Sequence, residues 1–208
     1  MWQFVDIIEF AGTFAFAISG IRLAAAKQFD WFGALVIGLV TAVGGGTIRD
    51  LMLNVTPFWM MNISYLACTS LALLVVVVYR QILVRHNYTF FTFDTIGLAL
   101  FTVVGVEKTL GAGFPYWVAL TMGTITGSAG GMIRDTLINE IPLVFRKELY
   151  AIACLLGGLV YWLSDLAKMP QEVSQISAAV TVIVVRLLAV KYHISLPKLN
   201  GVDKIEEE

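Results

Sequence analysis

Displaced by 85 residues, the sequence matches itself without a gap, and that register governs what the chain can fold into. Gly12 falls on Gly97, Phe16 on Phe101 and Gly20 on Gly105. Gly45, Gly46, Ile48, Arg49 and Asp50 fall on Gly130, Gly131, Ile133, Arg134 and Asp135. Asn54 meets Asn139, Pro57 meets Pro142, Tyr65 meets Tyr150, and Glu9 meets another acid, Asp94. A chance register does not align a Gly-Gly-x-Ile-Arg-Asp block with an Asn and a Pro, so the chain carries an internal duplication.

The duplicated chain is apolar. Of its 208 residues 58% are hydrophobic and 14% charged, where a soluble domain carries about a quarter charged residues. Apolar stretches of ~20 residues, each enough to cross a bilayer, separate the charges. The expectation is an all-α membrane protein in a lipid bilayer, with no basic patch for nucleic acid. Seven transmembrane helices are predicted, at about 4–25, 31–53, 60–82, 92–110, 115–138, 147–165 and 172–192. They form a single transmembrane domain over 1–194, followed by a polar cytoplasmic tail at 195–208. Repeat one covers about 4–84 and repeat two about 89–169. Each repeat holds three spans, an odd number, so the second copy enters the membrane from the opposite side as an inverted repeat. The seventh helix stands outside the duplication.

Lys and Arg placement sets orientation. With the N-terminus outside, the cytoplasmic segments hold Arg22, Lys27, Arg80, Arg85, Arg146, Lys147, Lys191, Lys198 and Lys204. The outer segments hold Lys108 and Lys168 once the motif arginines are set aside, and Arg186 can snorkel to the cytoplasmic end of the last helix. The opening "MWQFVDIIEF" lacks a positive n-region, so the first span is expected to remain in the membrane. Cys68 and Cys154 lie in apolar segments without CxxC spacing and read as small buried hydrophobes. His86 and His193 have no ligand set around them, and no metal site is expected.

The glycine blocks admit two readings. Gly38, Ala42 and Gly46, and Gly123, Gly127 and Gly131 in the second copy, repeat every four residues and make flat strips for helix packing. Gly44, Gly45 and Gly46 in a row also weaken a helix by roughly 1 kcal/mol each and mark a kink. Carbonyls freed there are tolerated in a membrane when they are buried in protein or face a wet cavity. A lone Arg or Asp at mid-bilayer costs about 2.5–3.5 kcal/mol on insertion scales. Adjacent residues diverge on a helix, so the symmetry-related pairing expected is Arg49 with Asp135 and Arg134 with Asp50. The plainer alternative lets Arg49 snorkel to the headgroups. Thr41, Thr47, Thr124, Thr126, Ser128, Thr136, Asn54 and Asn139 surround the blocks, as packing hydrogen bonds or as the lining of a wet path. Glu9 and Asp94 are vestibule acids or structural partners.

The blocks "GGGTIRD" and "GSAGGMIRD", in spans two and five of a three-plus-three-plus-one chain, resemble those of prokaryotic trimeric intracellular cation (TRIC) channels. The resemblance extends to about Ile194. It implies a homotrimer with one path for potassium or sodium ions inside each protomer, in the prokaryotic plasma (inner) membrane; read from the residues, no nucleophile-base pair, metal set or cofactor loop stands out, so neither an enzyme nor a cofactor is expected. The resemblance implies bends at Gly44, Gly45, Gly46, Gly130 and Gly131, although Ala129 stands where Gly44 has its match. It places Arg49, Asp50, Arg134 and Asp135 as polar pore residues; Thr41, Thr47, Thr126, Ser128, Asn54 and Asn139 are lining candidates from the residue reading alone. Read from the residues alone, inverted repeats with matched helix breaks point instead to a secondary transporter of a small amino acid such as glycine.

Overall fold

The computed structural model describes residues 4–84, 87–145 and 149–194, with Asn87 described by its backbone alone. Arg85, His86, Arg146, Lys147, Lys198, Lys204 and the tail at 195–208 lie outside the described residues. Eight α-helices are present among those described: α1 (Phe4–Ala26), α2 (Trp31–Met52), α3 (Ser64–Val78), α4 (Arg80–Leu83), α5 (Asn87–Gly111), α6 (Tyr116–Leu137), α7 (Ala151–Leu166) and α8 (Gln171–Lys191). Short 3-10 turns at Phe58–Met60 and Leu143–Phe145 follow α2 and α6. Four helices, α1, α2, α5 and α8, are each long and apolar enough to cross a bilayer. The chain is a multi-pass membrane protein.

The helices differ from expectation at their edges. The span predicted at 60–82 is divided: Phe58–Met60 is a 3-10 turn, and Tyr79 separates α3 from the single turn of α4. The sixth predicted span starts late, because α7 begins at Ala151 and has 16 residues. α6 matches α2 in length but carries Thr121, Thr124, Gly127 and Ser128 where α2 carries Val36, Leu39, Ala42 and Val43.

The ends of α2 and α6 follow one chemistry. Asn54 and Asn139 both sit at φ 57°, the left-handed region. The Val55 N–H donates to the Asp50 carbonyl at 2.9 Å and the Asn54 N–H to Leu51 at 3.1 Å. Glu140 and Asn139 do the same to Asp135 and Thr136, at 2.8 and 3.1 Å. These are Schellman caps, in which Asn replaces the usual glycine. Both asparagines are exposed caps.

Contacts exchange partners between the copies. A Cβ on Gly12 would press on the Phe101 ring at 3.1 Å, and one on Gly97 would strike Phe16. The two rings stack 5.5 Å apart. A Cβ on Gly45 would collide with the Thr126 carbonyl oxygen, and one on Gly130 with the Thr41 carbonyl oxygen. α1 thus lies antiparallel on α5, and α2 antiparallel on α6, each about a glycine crossing. The four-residue strips serve a different neighbour: Gly38 faces Ile21 and Ala17 of α1, and Gly123 faces Val106 and Thr102 of α5. Glycine is required here by close backbone approach. The α-helical pattern runs unbroken through Gly44–Gly46 and through Gly130–Gly131. Both helices continue through the blocks, which form the floor of a crossing.

α1 and α5 occupy the middle of the bundle, and α8 packs on α5 and α7. Exposed apolar side chains such as Val173, Ile176, Val180, Val184 and Leu187 run along the outer face of α8, as a lipid-facing helix requires.

Gly45→Ala is expected to lower stability by about 1–3 kcal/mol through overpacking at the α2–α6 crossing. Gly111→Ala, where a Cβ meets nothing within 4 Å, is expected to leave the unfolding midpoint in detergent unchanged. Equal midpoints for Gly45→Ala and wild type contradict the crossing.

Candidate functional site: two buried arginine clusters

The arginines of both blocks are fully buried. Arg49 lies in the last turn of α2 and Arg134 in the last turn of α6. Neither snorkels to the headgroups, and neither pairs across the blocks. Each binds the aspartate next to it. Arg49 Nε donates to Asp50 Oδ1 at 2.8 Å, and its NH2 lies 2.8 Å from the same oxygen. Arg134 repeats both distances with Asp135 Oδ1. The expected Arg49–Asp135 and Arg134–Asp50 pairs are thus replaced by neighbour pairs. Adjacent Cβ atoms diverge on a helix, but the long arginine side chain folds back across the turn and presents its fork to the short aspartate.

The second aspartate oxygen is used as well. Asp50 Oδ2 accepts the Phe58 N–H at 2.8 Å, and Asp135 Oδ2 accepts the Leu143 N–H at 3.0 Å. The aspartates therefore hold the first residue of each 3-10 turn, and Pro57 and Pro142 aim the chain there.

Glu9 and Asp94 complete the clusters. Arg49 NH2 reaches Glu9 Oε1 at 3.5 Å, and Arg134 NH1 reaches Asp94 Oδ1 at 2.6 Å. Tyr65 donates to Glu9 Oε2 at 2.8 Å, and Tyr150 to Asp94 Oδ1 at 3.5 Å. Each cluster ties two helices of one copy to a third by charge-assisted bonds. Glu9 and Asp94 are thus ion-paired with the arginines.

Beyond this shared plan the clusters differ. Lys108, near the end of α5, bonds Glu9 Oε1 at 2.6 Å and is 30% exposed. The first cluster thus balances two acids with two bases and has a wet edge. In the second, Arg134 faces both Asp94 and Asp135, and Ser19 Oγ accepts from it at 2.9 Å. Asp94 Oδ2 and Arg49 NH1 are buried without a hydrogen-bond partner among the described residues. Arg186 is buried over the rings of Phe91 at 5.1 Å and Tyr150 at 4.9 Å, so it does not snorkel outward. A cavity of about 230 Å³ reaches Asp135 past Leu23 and Phe90. Its mouth carries the Lys27–Glu140 ion pair, 2.5 Å apart.

The hydroxyls proposed as lining are each tied to their own helix. Thr41, Thr47, Thr126 and Ser128 donate to Ile37, Val43, Met122 and Thr124 carbonyls at 2.6–2.7 Å. Thr47 also accepts from Trp59 Nε1 at 3.0 Å. Cys154 is buried and Cys68 half-buried, both as free thiols. Lys108, Ser19 and the Lys27–Glu140 pair entered the site without a motif signal. Glu107 was also missed: it receives Gln171 Nε2 at 2.7 Å and a bond from Gln175, tying α8 to α5.

Tyr65→Phe strips Glu9 of a well-formed bond and is expected to cost about 1–3 kcal/mol. Tyr150→Phe, with its longer contact, is expected to cost less. The order of the two unfolding midpoints checks this, and the reverse order contradicts it.

Comparison with known proteins places this geometry. A family model described as Glycine transporter matches residues 6–81 and 91–165, one copy of the duplication each. The inner membrane protein YadS of Escherichia coli is 40% identical over 193 residues, covering 91% of this chain and 93% of that protein. The Bacillus subtilis membrane protein YvgT is 35% identical over 80% of this chain and 82% of its own length; both carry the family designation UPF0126. The TRIC channel orthologue of Rhodobacter sphaeroides superposes with a TM-score of 0.88 at 30% identity, over 93% of this chain and all of that one. A TRIC cation channel studied for its conductance gives 0.86 at 32% identity, over 97% of this chain and all of that one. The Caenorhabditis elegans channel, at 13% identity and 0.61, shares the fold. By sequence and structure, the chain belongs to the TRIC/UPF0126 family of membrane proteins, among its prokaryotic members.

Proposed function

We propose that this protein is a cation channel whose ion path lies inside each protomer, between the two copies of the duplication and beside the α2–α6 crossing. The observation that carries the reading is the full-length likeness to prokaryotic TRIC channels at 29–32% identity. The protomer assembles as a homotrimer in the plasma membrane, and potassium is its main permeant ion. The exchanged contacts Gly12–Phe101 with Gly97–Phe16, and Gly45–Thr126 with Gly130–Thr41, support two inverted three-helix repeats plus a seventh helix.

The cavity below Asp135 is the inner vestibule in this reading, and the Lys108–Glu9 edge is the outer end. Asp94 and Asp135 supply the negative charge of the inner half, offset by Arg134 and by Arg186 over the Tyr150 ring. Fixed arginines weaken that field, so selectivity among monovalent cations is low. Gly44–Gly46 and Gly130–Gly131 admit bending of α2 and α6 without side-chain collision on their own helices, and Thr41, Thr47, Thr126, Ser128, Asn54 and Asn139 offer oxygens along the seam. The N-terminus lies outside: Lys27, Arg80 and Lys191 share the inner side with Glu140.

The description of the family model favours a second reading, a secondary transporter of glycine. Recording from the purified protein in planar bilayers separates the two. The channel predicts unitary potassium steps, with a reversal potential near zero under potassium–sodium bi-ionic conditions. Saturable glycine uptake by proteoliposomes without unitary steps overturns it.

A further inference from the structure

A second cavity, of about 420 Å³, lies apart from the arginine clusters, where the end of α1, the start of α2 and the end of α3 meet. Its walls are apolar, including Ile21, Ala34, Leu73 and Val76. Its mouth carries one side chain of each charge, Arg80 and Asp30. The Arg80 side chain is exposed and forms no ion pair or hydrogen bond among the described residues. Asp30 Oδ1 caps α2 by accepting the Gly33 N–H at 2.6 Å, and its other oxygen remains available. Trp31 and Phe32, 68% and 74% exposed, stand in the first turn of α2 beside the opening. Exposed aromatics of this kind mark the water interface of a membrane protein.

An apolar slot opening at that interface fits an acyl chain. A guanidinium and a carboxylate at its mouth fit a headgroup with both signs. Arginine matches a phosphodiester by paired N–H donors. The carboxylate favours a cationic donor: a primary ammonium supplies charged N–H bonds, a quaternary one has no N–H, and a glycerol headgroup offers neutral hydroxyl donors but no positive charge to offset the phosphate beside Asp30. We propose that this cavity binds phosphatidylethanolamine, its phosphate on Arg80, its ammonium on Asp30 and one acyl chain against α1 and α3. The site is independent of the ion path.

Native mass spectrometry of the full-length protein, delipidated and titrated with single lipids of matched chains, tests the assignment. Phosphatidylethanolamine is expected to bind more tightly than phosphatidylcholine or phosphatidylglycerol by roughly three- to tenfold, the worth of one charged hydrogen bond at a half-open site. Asp30→Asn keeps an oxygen for the helix cap and is expected to abolish that preference while the protein stays folded. Arg80→Gln is expected to weaken binding of all three lipids. Glycerophosphoethanolamine, which lacks acyl chains, is expected not to bind. Equal affinities for the three lipids, or a preference unchanged in both variants, overturns the proposal. So does an Arg80→Gln protein whose oligomeric state changes while its lipid binding does not, because the cavity is then a seam between copies of this chain.

Discussion

A guanidinium inside a bilayer has to bring its own anions, and the fold is arranged around meeting that need twice. Arg49 and Arg134 have no exposure, and an uncompensated charge at such depth is strongly unfavourable. Each arginine takes the aspartate beside it and an acid from the first helix of its own copy. Each aspartate then spends its second oxygen on the backbone of the following 3-10 turn. The charge pair is therefore also a chain-reversal device: it fixes where α2 and α6 stop and how the chain re-enters the bundle. The glycine crossing depends on this placement, because Gly45 and Gly130 meet carbonyls of the opposing helix only at one register.

The two copies differ most in how their acid clusters are closed. In the first, Lys108 closes the cluster against Glu9. The equivalent position in the second is Leu23, in the wall of the cavity that reaches Asp135. The lysine on that side has moved one turn on, to Lys27, and binds Glu140 at the cavity mouth. One end of the molecule thus holds its cation at the cluster, and the other holds it at the entrance.

Much of this was legible in the sequence. The 85-residue register named Glu9 and Asp94 as equivalents before either had a partner, and the same register paired the tyrosines that bond them. The membrane class followed from composition. The pairing of charges was misread, because helical angles between neighbouring Cβ atoms ignore the reach of arginine. The glycine blocks carry both a packing and a bending signal; the packing one is realised, since Thr126 and Thr41 present carbonyls where a methyl would otherwise stand. The asparagines read as side chains, whereas their backbone angle adds a helix-cap role that the residue type alone does not single out. Lys108 and Lys27 had no motif to mark them, and only the fold brings them to acids 99 and 113 residues away.

The most direct test of this account is a double-mutant cycle on Arg134 and Asp94, read as unfolding free energy in mixed micelles. Arg134→Gln alone is expected to cost about 3–5 kcal/mol, since it strands Asp94 and Asp135, and Asp94→Asn alone is expected to cost less, since Arg134 keeps Asp135. The double variant is expected to cost well below their sum, with a coupling of about 1–3 kcal/mol. Additive losses, with no coupling, would mean that the guanidinium is not held by that carboxylate and would contradict the account.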